Sequence, residues 1–317
     1  MKIICNKKIS YFKDQQSTRE IFGNTKLFEI LQDEKMMKEI VASGNNGNEG
    51  VSFSVASLRA DTLDEQMTQA LAASGQRTMT VAPEAGSKRM RESINKGITE
   101  EHVYNAMELA AAAGMKNIKL YYMIGLPGEE DVDIEEMVAM IKRIRTKMDE
   151  AGNKGELVIS VNGFVPKPFT PFQWEAQDTI EALRDKQEHL KTKITDRKIR
   201  YTHHDARVSH IEAVFALGDR RLSKALELAR RADFAFDAWD ECFDFDKWME
   251  IFAEAGIDTA FYANRQKSTD EVLPWDVIDV GVTKEFLIRE KNRAYAEKTT
   301  PNCREKCMAC GAGCKND

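Results

Sequence analysis

Four of the six cysteines of this chain lie within its last fifteen residues, and they have the spacing of metal ligands. Cys303, Cys307, Cys310 and Cys314 form a C-x3-C-x2-C-x3-C run. Disulfides between such near neighbours would be strained, whereas four thiolates can surround one zinc ion or one iron–sulfur cluster. The sequence therefore predicts a metal site in this tail, with a reduced, metal-free tail as the alternative.

Length and charge restrict the classes of function. The chain has 317 residues, enough for one α/β barrel or two smaller units. Its 46 basic and 52 acidic side chains give a net charge of -6 without long blocks of one sign, which does not favour nucleic acid or membranes as partners. The apolar run Ile3 to Cys5 is too short for a signal sequence or a membrane span. With Cys5 and Cys242 apart from the cluster, we expect a cytoplasmic, reducing location.

Alternating strand and helix patterns predict parallel βα units. Strands are predicted at 51–56, 78–82, 117–124 and 157–161. Amphipathic helices separate them, one capped by Asp61 or Thr62 and another by Thr99. The carboxyl ends of parallel strands meet at one edge of a sheet, and ligands bind in the loops there. The third strand is almost continuously apolar, which predicts that both of its faces are covered.

Each predicted strand is followed by a loop rich in glycine, proline and polar residues. These loops occupy 57–61, 83–87, 125–129 and 162–168. A single loop of this composition is ordinary between a strand and a helix, whereas four in corresponding places favour a shared binding site.

Several motifs follow one another in a specific order along these loops. They read PEAGS at 83–87, INKGITE at 94–100 and YMIGLPGE at 122–129. This succession resembles the radical S-adenosylmethionine (SAM) superfamily, in particular its branch of methylthiotransferases and cobalamin-binding radical enzymes. The later motifs are FVPKPFTPFQW at 164–174, GDRR at 218–221, LPWD at 273–276 and the cysteine tail. They resemble one largely uncharacterised family of that branch, and the resemblance runs from about Val51 to the end.

The resemblance implies an α/β fold: a partial (β/α) TIM-like radical SAM barrel with a C-terminal helical extension and a cysteine-rich tail. The predicted divisions are a divergent segment and linker at 1–50, the partial barrel at 51–205, the helical extension at 206–298 and the tail at 299–317. Members of the superfamily cleave SAM reductively to a 5′-deoxyadenosyl radical, using a four-iron four-sulfur cluster and an electron donor such as flavodoxin or ferredoxin. The substrate is unknown, and cobalamin is implied only for intact relatives.

The superfamily holds its cluster with a C-x3-C-x2-C loop after the first barrel strand, and nothing like that loop precedes Val51, where Cys5 is the one cysteine. We therefore expect a truncated or rearranged barrel without the first strand, its cluster or an upstream cobalamin domain. Four tail cysteines would fill every coordination site, which predicts an auxiliary cluster or zinc there. A catalytically inactive metal-binding scaffold is the alternative to an enzyme, and a zinc-stabilised hydrolase is disfavoured because paired carboxylates are lacking.

The resemblance also assigns cofactor contacts to individual loop residues. Glu84 and Ser87 match positions that contact the ribose or the amino-acid part of SAM, although a carboxylate at Glu84 also suits a helix N-terminus. Gly125, Leu126 and Gly128 match the turn that lies against adenine, where glycine lets the backbone approach closely.

Further polar residues are candidates for binding carboxylate or substrate. Arg59 can bind the cofactor carboxylate through its forked guanidinium, or instead pair with Asp61. A substrate pocket is predicted from His203, His204, Asp205 and Lys167. These residue types serve general acid–base chemistry and ligand binding, and helix capping or a solvated surface is the alternative.

A missing first strand would leave one edge of the sheet open. The strand predicted at 51–56 then has no permanent neighbour unless 9–12 pairs with it. An open apolar edge invites another chain to add to the sheet. The sequence therefore predicts a dimer formed through this edge, or poor solubility.

Overall fold

The computed structural model describes residues 58–234, 237, 239, 241–303 and 305–313. Four parallel strands form one sheet in the order β1-β2-β3-β4. They are β1 (Thr78–Glu84), β2 (Asn117–Ile124), β3 (Leu157–Gly163) and β4 (Ile199–His203). Leu58 adds a parallel bridge to Val81, and its N–H donates to the Thr80 carbonyl oxygen at 3.1 Å. The strand predicted at 51–56 lies outside the described residues.

Helices alternate with the strands in the first part of the chain and follow one another in the second. They are α1 (Glu65–Ala73), α2 (Lys88–Ser93), α3 (Glu100–Ala112), α4 (Asp131–Glu150), α5 (Ile180–Lys193), α6 (Ala206–Ala216), α7 (Leu222–Arg231), α8 (Phe245–Ala255), α9 (Thr259–Ala263) and α10 (Lys284–Tyr295). Across the described ranges, none of them combines the length and apolarity needed to cross a bilayer.

The predicted start of the first helix is wrong, whereas that of α3 is confirmed. Asp61 and Thr62 lie in a short 3-10 turn, and α1 begins later because the Asp64 side chain accepts the Met67 N–H at 2.8 Å. Thr99 caps α3 as expected, accepting the N–H of the residue three positions on. A side-chain acceptor at the first turn fixes where a helix starts, and several neighbouring polar residues here offered one.

The sheet is packed by helices on one face. Alternate residues of β2 are fully buried, and α4 contributes its apolar stripe to the same core. The opposite face of β2 carries Lys119, Tyr121 and Met123, which are only half-buried. Among the described residues, the complete coverage of both faces that the apolar run predicts therefore holds for one face of β2 only. The described strands do not close into a barrel, so the predicted α/β fold is confirmed as an open parallel sheet compatible with a partial barrel.

The helical extension has its own aromatic core. The ring centroids of Phe215 and Trp248 lie 5.3 Å apart, and those of Trp248 and Phe252 lie 5.4 Å apart. Phe234 packs edge-on against Trp248 in the same cluster. These aromatic residues form the core of the helical extension, whereas Trp239 is 62% exposed.

The loop after β1 is held against α4 by close backbone packing. A Cβ atom at Gly86 would lie 2.2 Å from the Met137 Cα atom of α4. The Arg91 guanidinium, which is buried, donates to the Gly86 carbonyl oxygen at 2.5 Å. Only glycine fits this approach, so the loop after one strand is fixed to the helix that follows the next strand.

Replacing Gly86 by alanine should therefore destabilise the fold by about 1–3 kcal/mol or more, because the new methyl group meets backbone that cannot move aside. Gly152→Ala is the control, since Gly152 has open space around it and, unlike Gly86, a positive φ of 67°. There the expected cost is about 1 kcal/mol, from the backbone conformation alone. Urea unfolding of both variants measures the difference, and equal losses would show that the Met137 contact does not constrain the loop.

Candidate functional site

The loops after β1, β2 and β3 converge at the carboxyl edge of the sheet. Ala85, Leu126 and Phe164, one from each loop, pack in a single apolar cluster together with Met90. The Phe164 N–H donates to the Ile124 carbonyl oxygen at 2.8 Å, which joins the second and third loops directly. The predicted meeting of these loops on one side of the molecule is therefore confirmed.

Glu84 ends β1 in an unusual backbone conformation. Its φ is 68°, in the left-handed region, and the pairing register with β2 is irregular between Val81 and Glu84. The Lys96 Nζ atom lies 2.9 Å from Glu84 Oε1, and about a quarter of the Glu84 side chain is exposed. A left-handed conformation costs an L-residue about 1–2 kcal/mol, and such strain clusters at functional sites. Glu84 thus presents a carboxylate at the edge, already paired with an ammonium group.

A second ion pair, Arg59 with Asp61, is joined to this one through the backbone of Lys96. The Arg59 guanidinium pairs with Asp61 at 2.7 Å and donates to the Lys96 carbonyl oxygen at 3.3 Å. The hydrogen bonds that Arg59 donates to Asp61 raise the pKa of Arg59. Burial acts to raise the pKa of Asp61, but its hydrogen bonds with Arg59 outweigh that effect and lower it. Arg59, Asp61, Glu84 and Lys96 form what we call the charged quartet, in which both cations and both anions are paired.

The Ser87 hydroxyl group forms hydrogen bonds within the protein. It caps α2 by accepting the Met90 N–H at 3.1 Å and donates to Asp133 Oδ1 at 2.6 Å. Asp133 also accepts the Glu130 N–H at 2.8 Å and pairs with Arg89. Burial would raise the pKa of Asp133, but these hydrogen bonds hold it below its usual value. Asp133 is a residue that sequence reasoning missed, because it lies inside an ordinary helical pattern.

The turn after β2 depends on its glycines. Gly125 and Gly128 have φ values of 76° and 77°, which favour glycine. The Gly125 N–H donates to Glu129 Oε2 at 2.6 Å, so the turn is held by its own side chain. Leu126 is buried in the apolar cluster, and a Cβ atom at Gly128 would meet the Tyr295 ring at 3.5 Å, an ordinary contact. At Gly125 a Cβ atom would lie 2.9 Å from Asp178 Oδ2, so lack of space excludes a side chain at Gly125 more strictly than at Gly128.

The residues predicted for a substrate pocket at the end of β4 have local partners. His204 Nδ1 lies 3.1 Å from Ser209 Oγ, and Asp205 caps α6 by accepting the Arg207 N–H at 2.8 Å. His203 is exposed. Burial acts to raise the pKa of Asp205, but the hydrogen bonds from Arg207 outweigh that effect and lower it. The parallel pairing of β3 and β4 brings these side chains to the same edge, where His203 and His204 are exposed and Asp205 is half-buried.

The loop after β3 is tied to α6. Lys167, the fourth predicted pocket residue, forms an exposed ion pair with Glu212. Gln177, which sequence reasoning missed, is 2% exposed, and its Nε2 donates to the carbonyl oxygens of Phe164 and Ser209, each at 3.0 Å. A buried amide between two loops fixes their separation. No sequence signal marked Gln177, since its partners are distant in the chain.

The cysteine tail returns to the same edge of the sheet. The Thr300 N–H donates to Asn95 Oδ1 at 2.9 Å, and the Thr283 N–H donates to the Cys310 carbonyl oxygen at the same distance. Asn95 precedes Lys96 of the charged quartet. The tail is thus attached to the loop that carries Glu84's partner.

The tail cysteines are only partly described. Cys303 and Cys307 are exposed and Cys310 is half-buried, while Cys314 lies outside the described residues. Among the described residues, no three Cys, His, Asp or Glu side chains are gathered as metal ligands. A surface groove of about 480 Å³ runs along α10 to Lys298 and contains none of the predicted site residues. The metal site stays a prediction.

Comparison with known proteins relates part of this chain to one superfamily. Residues 20–141, which include β1, β2 and the loops that follow them, match the model of the Radical SAM superfamily. The match supports a Radical SAM superfamily domain. An uncharacterised protein of Methanocaldococcus jannaschii is 34% identical over 208 residues, which make up 66% of this chain and 44% of that relative. The chain thus aligns with less than half of the relative's length, and the narrower branch inferred from the sequence stays a prediction.

Lys267 contacts the segment after β3, and its side chain is buried. Its backbone N–H donates to the Trp174 carbonyl oxygen at 2.8 Å, and its buried Nζ atom donates to the Tyr262 carbonyl oxygen at 3.1 Å. Burial, and secondly the charge of Arg265, lower the pKa of Lys267 from 10.5 to about 8. The folded state therefore disfavours the charged amine.

This lysine should make stability depend on pH. Between pH 8 and 10.5 the folded protein loses a proton that the unfolded chain keeps, so the free energy of unfolding should rise with pH across this window and level off above it. In Lys267→Met this contribution should be absent, whereas Lys154→Met, at an exposed position, should retain it. Thermal unfolding at a series of pH values measures the difference. Parallel profiles for wild type and Lys267→Met would contradict the prediction.

Proposed function

We propose that this chain is a radical SAM family protein that holds SAM at the carboxyl edge of β1 and β2. The observation that carries the proposal is the meeting of the charged quartet and the Gly125 turn at this edge, within a range that matches the superfamily. The charged quartet supplies charges for the amino-acid part of SAM, and the Gly125 turn supplies close-packed backbone for the adenine base.

The charged quartet suits the amino-acid part of SAM. That part carries an ammonium group and a carboxylate. In the structure, Glu84 pairs with the ammonium group of Lys96, and Arg59 pairs with the carboxylate of Asp61. A zwitterion can take over both positions without a change in net charge. The Arg59–Asp61 pair is exposed, and an exposed ion pair is worth only about 0–1 kcal/mol, so its exchange costs little. Arg59 would hold the carboxylate with its forked donors, and Glu84 the ammonium or the ribose hydroxyl groups.

The Gly125 turn suits the nucleoside part. Its backbone is bare of a side chain at Gly125, and Leu126 and Phe164 supply an apolar wall from two neighbouring loops. Binding sites for small molecules combine such apolar walls with a few fixed polar groups. We assign Gly125, Leu126 and Gly128 to adenine contact, and Ser87 to supporting the loop that carries Glu84.

The reaction proposed for the whole protein is that of the superfamily, in which a four-iron four-sulfur cluster, when bound, would supply the electron for reductive cleavage of SAM. The C-x3-C-x2-C loop that holds such a cluster is not found before Val51, so we assign no residue of this chain to the catalytic cluster. An electron donor such as flavodoxin or ferredoxin is proposed as the source of that electron. The β3 and β4 loops, with Lys167, His203, His204 and Asp205, would bind the substrate beside the cofactor. These residues offer acids, bases and cations that can orient a polar molecule.

Removing the charge of Glu84 should weaken SAM binding. In Glu84→Gln we expect about a tenfold loss of affinity, or about 1.4 kcal/mol, because an amide accepts hydrogen bonds but does not balance an ammonium charge. Glu101→Gln, which alters an exposed carboxylate at the start of α3, is the matched control. Calorimetric titration with SAM under anaerobic conditions gives both affinities. Undetectable binding by the wild type would overturn the proposed function, and equal affinities would remove Glu84 from the site.

The tail cysteines are proposed to hold an auxiliary metal centre, supported by their spacing and by attachment of the tail to the edge. After anaerobic purification, the wild type should contain iron with sulfide, or zinc alone. The double variant Cys307→Ser with Cys310→Ser should lose it, because thiolates are the ligands. Cys242→Ser, an exposed cysteine outside the tail, is the control. Metal-free wild type, or metal retained by the double variant, would contradict the assignment.

A further inference from the structure

A partly buried ion-pair network contacts the Gly125 turn. Lys186 Nζ lies 2.8 Å from Glu129 Oε2 and 2.8 Å from Asp178 Oδ2. The same Glu129 oxygen accepts the Gly125 N–H at 2.6 Å, and the Glu129 side chain is only 2% exposed. A Cβ atom at Gly125 would lie 2.9 Å from Asp178 Oδ2. Gly125, Glu129, Lys186 and Asp178 are called the turn network below.

The network joins parts of the chain that no motif connects. Glu129 belongs to the turn after β2, Lys186 lies in α5, and Asp178 precedes that helix. Glu129 and Lys186 are 57 positions apart. The conformation of the turn is therefore set partly by the helix that follows the next strand.

The positive charge of Lys186 favours the ionised form of Glu129. Burial raises the pKa of Glu129, and the charge and hydrogen bond of Lys186 act against that effect, while Asp178 adds to it. Lys186 and Asp178 are the charged groups that face Glu129. If a buried carboxylate loses its cation, the folded state is destabilised by several kcal/mol, or the carboxylate takes up a proton. A protonated Glu129 would accept the Gly125 N–H more weakly than the ionised form does.

We propose that Lys186 and Asp178 are positioning residues, which hold the Gly125 turn in its nucleoside-binding conformation by fixing the Glu129 carboxylate against the Gly125 N–H. The inference rests on the proposed function in so far as this turn contacts the nucleoside of SAM. It adds two residues from outside the recognised motifs, and it makes cofactor binding sensitive to pH through the turn network.

The first measurement needs no ligand. Hydrogen exchange at the Gly125 amide should be about tenfold faster in Lys186→Met than in the wild type, because its hydrogen bond to a charged acceptor is weakened by about 1.4 kcal/mol. Lys186→Arg should restore protection by supplying another cation. Lys191→Met is the control, since Lys191 lies on the same helix in an exposed pair with Glu188. Should Lys186→Met fail to fold, Lys186→Gln gives the same readout, since it removes the same charge and keeps a polar side chain at this partly exposed position.

The second measurement follows SAM affinity against pH. In Lys186→Met, affinity should begin to fall at a higher pH than in the wild type, since Glu129 then takes up its proton more readily. A role in general stability alone would not move this midpoint. Wild-type protein that binds no SAM would refute the proposed function, while the exchange measurement would still decide the turn network. Unchanged amide exchange together with an unchanged pH midpoint would overturn the inference.

Discussion

The parallel hydrogen-bond ladder that joins β1, β2 and β3 is the constraint on which the candidate site depends. Because the strands run in the same direction, their carboxyl ends reach one edge, where Glu84 lies beside Tyr122 and Ile124 beside Gly163. An antiparallel neighbour would send its following loop to the opposite edge. The charged quartet and the glycine turn are neighbours for this reason, although about 40 positions separate them in the sequence.

Because the helices cover one face of the sheet, charged side chains can remain at the carboxyl edge of the strands. The helices bury one face of the sheet, whose core is almost entirely apolar, and leave charged side chains at the strand ends. There each charge has a partner: Glu84 with Lys96, Asp133 with Arg89, Glu129 with Lys186. Paired charges at a half-buried edge avoid the penalty of an isolated buried ion and stay available to a ligand.

The C-terminal half of the chain is fixed to this edge rather than to the far end of the sheet. Gln177 joins the β3 loop to α6, the Tyr295 ring of α10 lies against Gly128, and Thr300 binds Asn95. The cysteine tail and the loops that would hold SAM are therefore neighbours.

The sequence by itself determined the local elements and the order of the loops. Its apolar periodicity defined β2 at its observed bounds, and Thr99 began α3, because these features depend on neighbouring residues only. Tertiary structure decided which side chains pair. Ser87 meets Asp133 across 46 positions and Lys186 meets Glu129 across 57, distances over which sequence spacing carries no geometric information. Such pairs form only after packing has placed each helix, so the network behind the glycine turn became visible only in the folded chain.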